Sequence, residues 1–211
     1  MRLYVSQSQF RSALSVHGEG TAVSNALSLA ATVDKHYMKG YYIALLLLLP
    51  SLCSNGQTLT KNEIISLVSS ITADTSLRTI ELDANDVFQA NYDGGGIVQL
   101  IHDGQTLKAF VVQVGLSSGR LTNSIYYVDS LPVQIVETEE RFKWIEAEGT
   151  FDFTTLNQTF NETVYVLDWE LADTEHEKSG TRTLSEARCG LFEYEPEVVL
   201  GHRLLRENLK K

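Results

Sequence analysis

The first clear pattern of apolar and polar positions begins at Thr60. The stretch Thr60-Lys61-Asn62-Glu63 has the spacing of a capping box, in which a threonine hydroxyl and a glutamate carboxylate each accept a backbone N–H at the start of a helix. Apolar side chains then recur at the spacing of one helical face, at Ile64, Leu67, Val68 and Ile71. The pattern predicts a short amphipathic helix over residues 61–73.

From Leu77 onwards the apolar period shifts towards two, and turn-forming clusters interrupt it at intervals of about ten to twelve residues. This rhythm predicts antiparallel strands joined by hairpins. The predicted strands are 78–82, 87–92, 97–102, 107–114, 122–128 and 132–137, and the predicted turns lie at 93–96, 103–104, 117–119 and 129–130. Asp103-Gly104 is the clearest turn, since a two-residue type I′ hairpin requires positive φ at both central positions.

The remainder of the chain adds strands and a second helix. Residues 141–145 alternate charged and apolar side chains, and Phe151, Phe153 and the stretch 163–169 supply further strands. Glu195-Pro196 can begin a helix, because proline is well accommodated in the first turn. The sequence therefore predicts one α+β domain over residues 57–211. Its short N-terminal amphipathic helix packs on a curved antiparallel β-meander of about six to eight strands, followed by a C-terminal helix.

Residues 38–56 have the layout of a secretory signal peptide. Lys39 precedes a compact apolar stretch at 41–49, Pro50 follows, and Ser54 and Gly56 stand three positions and one position before a cut ahead of Gln57. A membrane anchor is an alternative, although a membrane-spanning helix needs about 20 apolar residues and the apolar stretch here is about half that length. A buried core helix and a lipoprotein cut before Cys53 are also open, the latter despite the bulky Leu52 before it.

If translation starts at Met38, residues 1–37 form an upstream extension. We interpret them as a non-native or disordered segment that results from an over-long gene start; a cytoplasmic tail before a membrane anchor is the alternative. The full chain has 211 residues, 17 basic and 27 acidic side chains and a net charge of −10. Residues 57–211 keep 13 of the basic and 25 of the acidic side chains, near −12. This balance argues against nucleic acid as a partner.

The catalytic motifs in the chain are weak. Gly115-Leu116-Ser117-Ser118-Gly119 satisfies the Gly-x-Ser-x-Gly pattern of hydrolases, but that motif must join a strand to a helix, and here it lies between two predicted strands. Glu137, Glu139 and Glu140 could act as an acid and base pair, because neighbouring carboxylates push their pKa values apart. A strand that ends in a charged turn is the favoured interpretation. Cys189 is left without an intramolecular disulfide partner if Cys53 is removed.

Two further sets of residues are candidates for binding. Asp173, Glu175 and His176 lie in a dense acidic stretch at 168–177 and are candidate metal ligands, although a solvated loop is the favoured interpretation. Tyr126, Tyr127 and Trp144 form a possible binding surface, because exposed aromatic side chains on a sheet can bind a partner or a sugar. Strand alternation predicts that the two adjacent tyrosines lie on opposite faces.

A Met-Lys signal segment, a short helix and a Gly-rich meander that contains Ile125-Tyr126-Tyr127-Val128 resemble small, mostly uncharacterised exported proteins of the Bacteroidetes. The order of helix and meander is also similar to that of PepSY-like and beta-lactamase-inhibitor-like secreted domains. These resemblances supply no functional residues. They imply an exported, soluble, non-enzymatic binding or inhibitor-like protein without a cofactor, whose partner is a protein or a carbohydrate.

Two other functions remain open at this point. An envelope hydrolase would use the acidic stretch at 168–177. A membrane-anchored domain would retain residues 41–52 as its anchor and place residues 1–37 in the cytoplasm.

Overall fold

The computed structural model describes residues 58–210, and its elements follow one another in a simple order. The helices of this part of the chain are α1 (Lys61–Ala73), α2 (Ala84–Phe88) and α3 (Glu195–Asn208), and a 3-10 turn at Leu191–Tyr194 leads into α3. The strands are β1 (Arg78–Asp83), β2 (Gly96–His102), β3 (Leu107–Leu116), β4 (Gly119–Val128), β5 (Leu131–Ile145), β6 (Thr150–Asp168) and β7 (Asp173–Gly180). Among these residues, no helix combines the length and apolar composition needed to cross a bilayer.

All seven strands form one antiparallel sheet in which each strand pairs with its neighbour along the chain. The predicted α+β class, with an antiparallel meander and a C-terminal helix, is confirmed. Asp129 and Ser130 form the two-residue turn between β4 and β5, and both have positive φ, at 49° and 69°. Ser117 and Ser118 form the turn between β3 and β4, as predicted.

Helix α1 begins at the predicted capping box. Glu63 Oε2 accepts the Thr60 N–H at 2.8 Å, and the Thr60 hydroxyl accepts the Glu63 N–H at 3.4 Å. On the buried side of the helix, Ile64 and Val68 form an apolar cluster with Val133 and Tyr165 of the sheet.

The main apolar core lies on the other face of the sheet, under α3. Its largest fully buried side chains include Leu100, Phe110, Ile125 and Ile135, which meet in one row across β2 to β5. Gly201 of α3 allows the helix to approach this row closely, because a Cβ there would lie 3.1 Å from both Leu107 Cδ2 and Phe110 Cγ.

Three predictions about local structure are wrong. The predicted strand at 87–92 is instead the end of α2 and an irregular segment, because the Asp83 carboxylate caps the helix at the Asn85 N–H and the Asn85 side chain accepts the Tyr92 N–H. Asp103-Gly104 belongs to a four-residue loop, since the Asp103 carboxylate accepts the N–H groups of Gln105 and Thr106 and widens the turn. A type I′ turn does not form there.

The acidic stretch at 168–177 is not the solvated loop that its sequence favours, and this is the third wrong prediction. Residues 173–180 are the edge strand β7, paired with β6. An edge strand forms through backbone hydrogen bonds while its side chains stay in water, so its sequence needs no apolar alternation. The predicted signal segment at 38–56 and the upstream extension at 1–37 lie outside the described residues.

Candidate functional site

A cavity of about 430 Å³ lies between the face of the sheet that carries α3 and the chain that follows β7. Strands β3, β4 and β5 form its floor. Residues 182–188, the 3-10 turn and the first turn of α3 form its other walls. The lining residues are Tyr92, Val112, Val114, Leu116, Leu121, Thr122, Asn123, Glu137, Thr138, Glu139, Arg182, Leu184, Ser185, Glu186, Arg188, Phe192, Glu193, Pro196 and Glu197.

The strand register makes this floor apolar at one side and acidic at the other. Two rows of paired residues cross it, one running from Val112 through Asn123 to Glu137 and the other from Val114 through Leu121 to Glu139. The cavity can therefore hold an apolar group against β3 and a polar group against β5.

Glu139 anchors the irregular segment that forms one wall. Its Oε1 accepts the hydroxyl of Ser185 at 2.6 Å and the N–H of the same residue at 3.0 Å. Its Oε2 accepts the N–H groups of Thr183 at 2.6 Å and Leu184 at 2.9 Å. Burial opposes ionisation of this 1% exposed side chain, but these hydrogen bonds outweigh burial and hold the pKa of Glu139 below its ordinary value.

Two arginines from the same wall converge on Glu137. Arg182 Nη2 donates to Glu137 Oε2 at 2.5 Å and to Glu162 Oε2 at 3.0 Å. Arg188 Nε donates to Glu137 Oε1 at 3.1 Å, and Arg188 Nη2 donates to Glu197 Oε1 at 2.7 Å. We call the five residues Glu137, Glu162, Arg182, Arg188 and Glu197 the ionic network.

Three members of the ionic network, Arg182, Arg188 and Glu162, are stabilised in their charged forms. For both arginines, burial tends to lower the pKa, and the hydrogen bonds that they donate to the carboxylates, with the attraction of those charges, outweigh burial and raise it. For Glu162, burial tends to raise the pKa, and contacts with His176 and Arg182 hold it below its ordinary value. The guanidinium of Arg182 stacks 4.2 Å from the Phe160 ring centroid, and that of Arg188 lies 4.1 Å from the Tyr194 centroid.

Several buried polar atoms in this region have no hydrogen-bond partner within the described residues. Such atoms are Asn123 Oδ1, Arg182 Nε and Glu197 Oε2, all from residues that line the cavity, together with the hydroxyl of the buried Tyr127. Buried polar atoms are nearly always paired in folded proteins, with protein groups, ordered water or a ligand, so the three unpaired atoms of lining residues make the cavity a candidate site for a polar group.

The structure brings the predicted carboxylates Glu137 and Glu139 into this cavity and separates Glu140 from them. The favoured interpretation of a charged turn is wrong, since all three lie inside β5. Alternation along the strand places Glu140 on the other face, where its Oε2 accepts a hydrogen bond from Arg120 Nε at 2.7 Å and forms an ion pair with Arg120 Nη2 at 2.6 Å.

The candidate metal ligands Asp173, Glu175 and His176 are not brought together. In β7, Glu175 lies opposite Tyr165 and His176 lies opposite Val164, so the two side chains project from opposite faces. His176 Nδ1 instead lies 3.2 Å from Glu162 Oε1. No group of three or more His, Cys, Asp or Glu side chains in residues 58–210 is placed to hold a metal ion.

The candidate aromatic surface is divided by the two helices. Tyr127 is only 1% exposed, and its ring packs against His202 of α3 at a centroid distance of 5.0 Å. Tyr126 lies half-buried against the α1 cluster, on the opposite face as predicted. Neither tyrosine forms the predicted binding surface, because a helix covers each face. Trp144 is 49% exposed and packs edge-on against Phe151 in the outer part of the β5–β6 hairpin.

The Gly-x-Ser-x-Gly match is a hairpin turn, because Ser117 lies between β3 and β4 and no helix follows it. Cys189 is exposed and free. Sequence reasoning missed Arg182 and Arg188 as site residues, since they lie in a segment with no periodic pattern. It also missed Glu197, because an acidic side chain in the first turn of a helix is expected without any functional role.

No protein-family model matches the chain, and no significant match was found among curated proteins or among solved structures.

Proposed function

We propose that this chain is an exported, non-enzymatic binding protein that holds a small molecule with an apolar body in the cavity between β3–β5 and residues 182–197. The observation that carries the proposal is the division of this cavity into an apolar side and a charged side. Small-molecule sites in proteins have volumes of about 300–1,000 Å³ and combine apolar walls with a few polar groups that fix orientation. The cavity of about 430 Å³ falls within that range.

The bonding of the carboxylates favours binding over catalysis. A general acid or base must be free to exchange a proton with the bound molecule. Each oxygen of Glu137 accepts from an arginine, and each oxygen of Glu139 accepts from the segment at 183–185. These two carboxylates are therefore occupied as structural acceptors.

The proposal is tested by filling the cavity. Leu121→Trp places a larger side chain on the floor, and Leu171→Trp, at a position 80% exposed and outside the cavity, is the matched control. Binding of the uncharged dye N-phenyl-1-naphthylamine to the full chain is followed by its fluorescence. We expect Leu121→Trp to weaken dye binding at least about tenfold at an unchanged melting temperature. Equal binding by both variants would contradict the proposal.

A natural reporter can follow the same binding without a dye. The chain has two tryptophans, and the Trp169 ring packs edge-on against Phe192, a cavity residue, at a centroid distance of 5.8 Å. In a Trp144→Phe background, the emission of Trp169 should shift when an apolar ligand enters. An unshifted spectrum at saturating ligand would place the ligand elsewhere.

Export is proposed from the layout of residues 38–56. Mass spectrometry of the protein recovered outside the cytoplasm should find a mature N-terminus at Gln57 or within a few residues. An intact Met1 in the membrane fraction would favour the anchored alternative.

Trp144 supports a second, separate surface for a protein or carbohydrate partner. Together with Phe153, which is 62% exposed, it leaves aromatic area open to solvent on the outer part of the β5–β6 hairpin. In a Trp169→Phe background Trp144 is the remaining tryptophan, and a soluble oligosaccharide that stacks on it should shift its emission. Loss of that shift in Phe153→Ala, with retention in Leu171→Ala, would assign the site to the hairpin.

A further inference from the structure

The charges around the cavity do not cancel. The ionic network contains three carboxylates and two guanidinium groups, and Glu139 adds a fourth carboxylate whose hydrogen bonds come from uncharged donors. Glu186 and Glu193 also line the cavity. The site is therefore negative although two arginines stand in it, and a cation entering it would be attracted.

Arg188 directs three of its five N–H groups at acceptors of the protein. Its Nε donates to Glu137, its Nη1 donates to the Glu193 carbonyl oxygen at 2.8 Å and its Nη2 donates to Glu197. The two carboxylates that it contacts offset its positive charge and would repel an anionic ligand.

Arg182 is held in a similar way. Its Nη1 donates to the Ser185 hydroxyl at 2.7 Å, and its Nη2 is shared between Glu137 and Glu162. The Nε of Arg182 has no partner, but the same guanidinium already contacts two carboxylates that would repel a second anion.

One carboxylate oxygen of Glu197 has no hydrogen-bond donor. Its side chain is 5% exposed, its Oε1 accepts from Arg188 and its Oε2 has no partner. A buried carboxylate oxygen without a donor is costly, because burial removes water that the protein does not replace. Among the charged side chains that line the cavity, Glu197 is the one whose carboxylate is half-satisfied.

We infer that the ligand of this cavity carries a positively charged amine, which donates to Glu197 Oε2 while its apolar chain packs against the side of the cavity formed by Val112, Val114 and Leu121. Asn123 Oδ1, the other unpartnered acceptor in the lining, offers a second hydrogen bond. The inference rests on the proposed function, since it names the ligand class for the same cavity.

Three probes with one apolar chain and different heads test the inference on the full chain. Octylamine, protonated at neutral pH, octan-1-ol and octanoate compete with N-phenyl-1-naphthylamine for the cavity. We expect octylamine to bind at least about tenfold more tightly than octan-1-ol, because both heads can donate a hydrogen bond to Glu197 but only the ammonium adds a positive charge opposite the carboxylate. Octanoate should bind most weakly.

Glu197→Gln keeps the shape of the side chain and its bond from Arg188 but removes the charge. This variant should lower the affinity for octylamine to that for octan-1-ol and leave the affinity for octan-1-ol unchanged. Glu195→Gln, which removes one charge from the same helical turn at an exposed residue outside the lining, should keep the amine preference.

The outcomes separate the two proposals. Tight binding of octan-1-ol or octanoate at the level of octylamine would overturn the inference and leave the cavity a binding site. Equal weakening of all three probes by Glu197→Gln would overturn it as well, because it would show a role in folding alone. If neither the dye nor any of the three probes binds, the proposed function is overturned and the inference with it.

Discussion

Glu139 and Ser185 are joined by two hydrogen bonds across 46 positions of the chain, at 2.6 Å to the hydroxyl and 3.0 Å to the backbone N–H. This pair fixes a segment that has no helix or strand of its own against the middle of β5. The part of the cavity wall at residues 183–185 is therefore anchored by one buried carboxylate.

Removing that carboxylate should destabilise the protein strongly. Glu139→Ala leaves the N–H groups of residues 183–185 without acceptors in a partly buried place and empties a buried position, and we expect a loss of about 3 kcal/mol in the free energy of unfolding. Urea denaturation measures it. Glu140→Ala, next in sequence but on the other face, breaks a partly exposed pair with Arg120 and should cost less than about 1 kcal/mol. Equal losses would contradict the anchoring role.

The same carboxylate predicts a dependence of stability on pH. Because the pKa of Glu139 is lower in the folded protein than its ordinary value of 4.5, its contribution is present above that pH and is lost as the pH falls through the lower folded pKa. The difference in unfolding free energy between the wild type and Glu139→Gln should be constant from pH 7 to pH 5 and shrink below about 4.5. A difference that grows towards acid would refute this linkage.

Removing one charge from the ionic network should lower the free energy of unfolding more than removing one charge from a surface pair. Arg182→Met leaves Glu137 and Glu162 without one of their donors in a poorly hydrated site, and we expect a loss of about 3–5 kcal/mol. The exposed Arg203, 4.0 Å from Glu207, is the control, because Arg203→Met should change stability by less than about 0.5 kcal/mol. Chemical denaturation of both variants distinguishes a buried network from an incidental surface pair.

The close approach of β4 and β5 at Gly119 gives a test of the pairing between these two strands. A Cβ at this position would lie 2.1 Å from the carbonyl oxygen of Glu140, so Gly119→Ala should cost about 2–4 kcal/mol by thermal denaturation. Gly190→Ala is the matched control, since a Cβ there meets nothing within 4 Å. Ser117→Ala should leave stability within about 0.5 kcal/mol, as expected for an exposed turn residue.

The fold could be predicted from the sequence wherever local chemistry and apolar periodicity agreed. The capping box at Thr60 and the alternation along β2 to β5 correspond to elements in the structure. The edge strand β7 could not be predicted this way, because its polar side chains remain in water. The 87–92 stretch differs from the predicted strand because the hydrogen bonds that the Asp83 and Asn85 side chains accept favour a helical turn over the strand pattern.

The sequence predicts the position of the site carboxylates in β5 but not that of their arginine partners. Glu137 and Glu139 stand two and four residues after the fully buried Ile135, so alternation within β5 alone places them on the core side. Alternation in the sequence of β5 therefore indicates these positions, whereas the high charge of the same stretch favours the end of a strand. Their partners Arg182 and Arg188 follow no periodic pattern, and nothing local connects them with β5.

The sharing of Glu137 by two arginines also constrains how relatives of this chain can differ. A chain that loses Arg182 or Arg188 alone keeps a buried carboxylate with too few donors, and one that loses Glu137 alone leaves each of the two arginines with one carboxylate partner fewer. The three positions should therefore covary, changing together to apolar residues or remaining as they are. An alignment in which they vary independently would contradict this constraint.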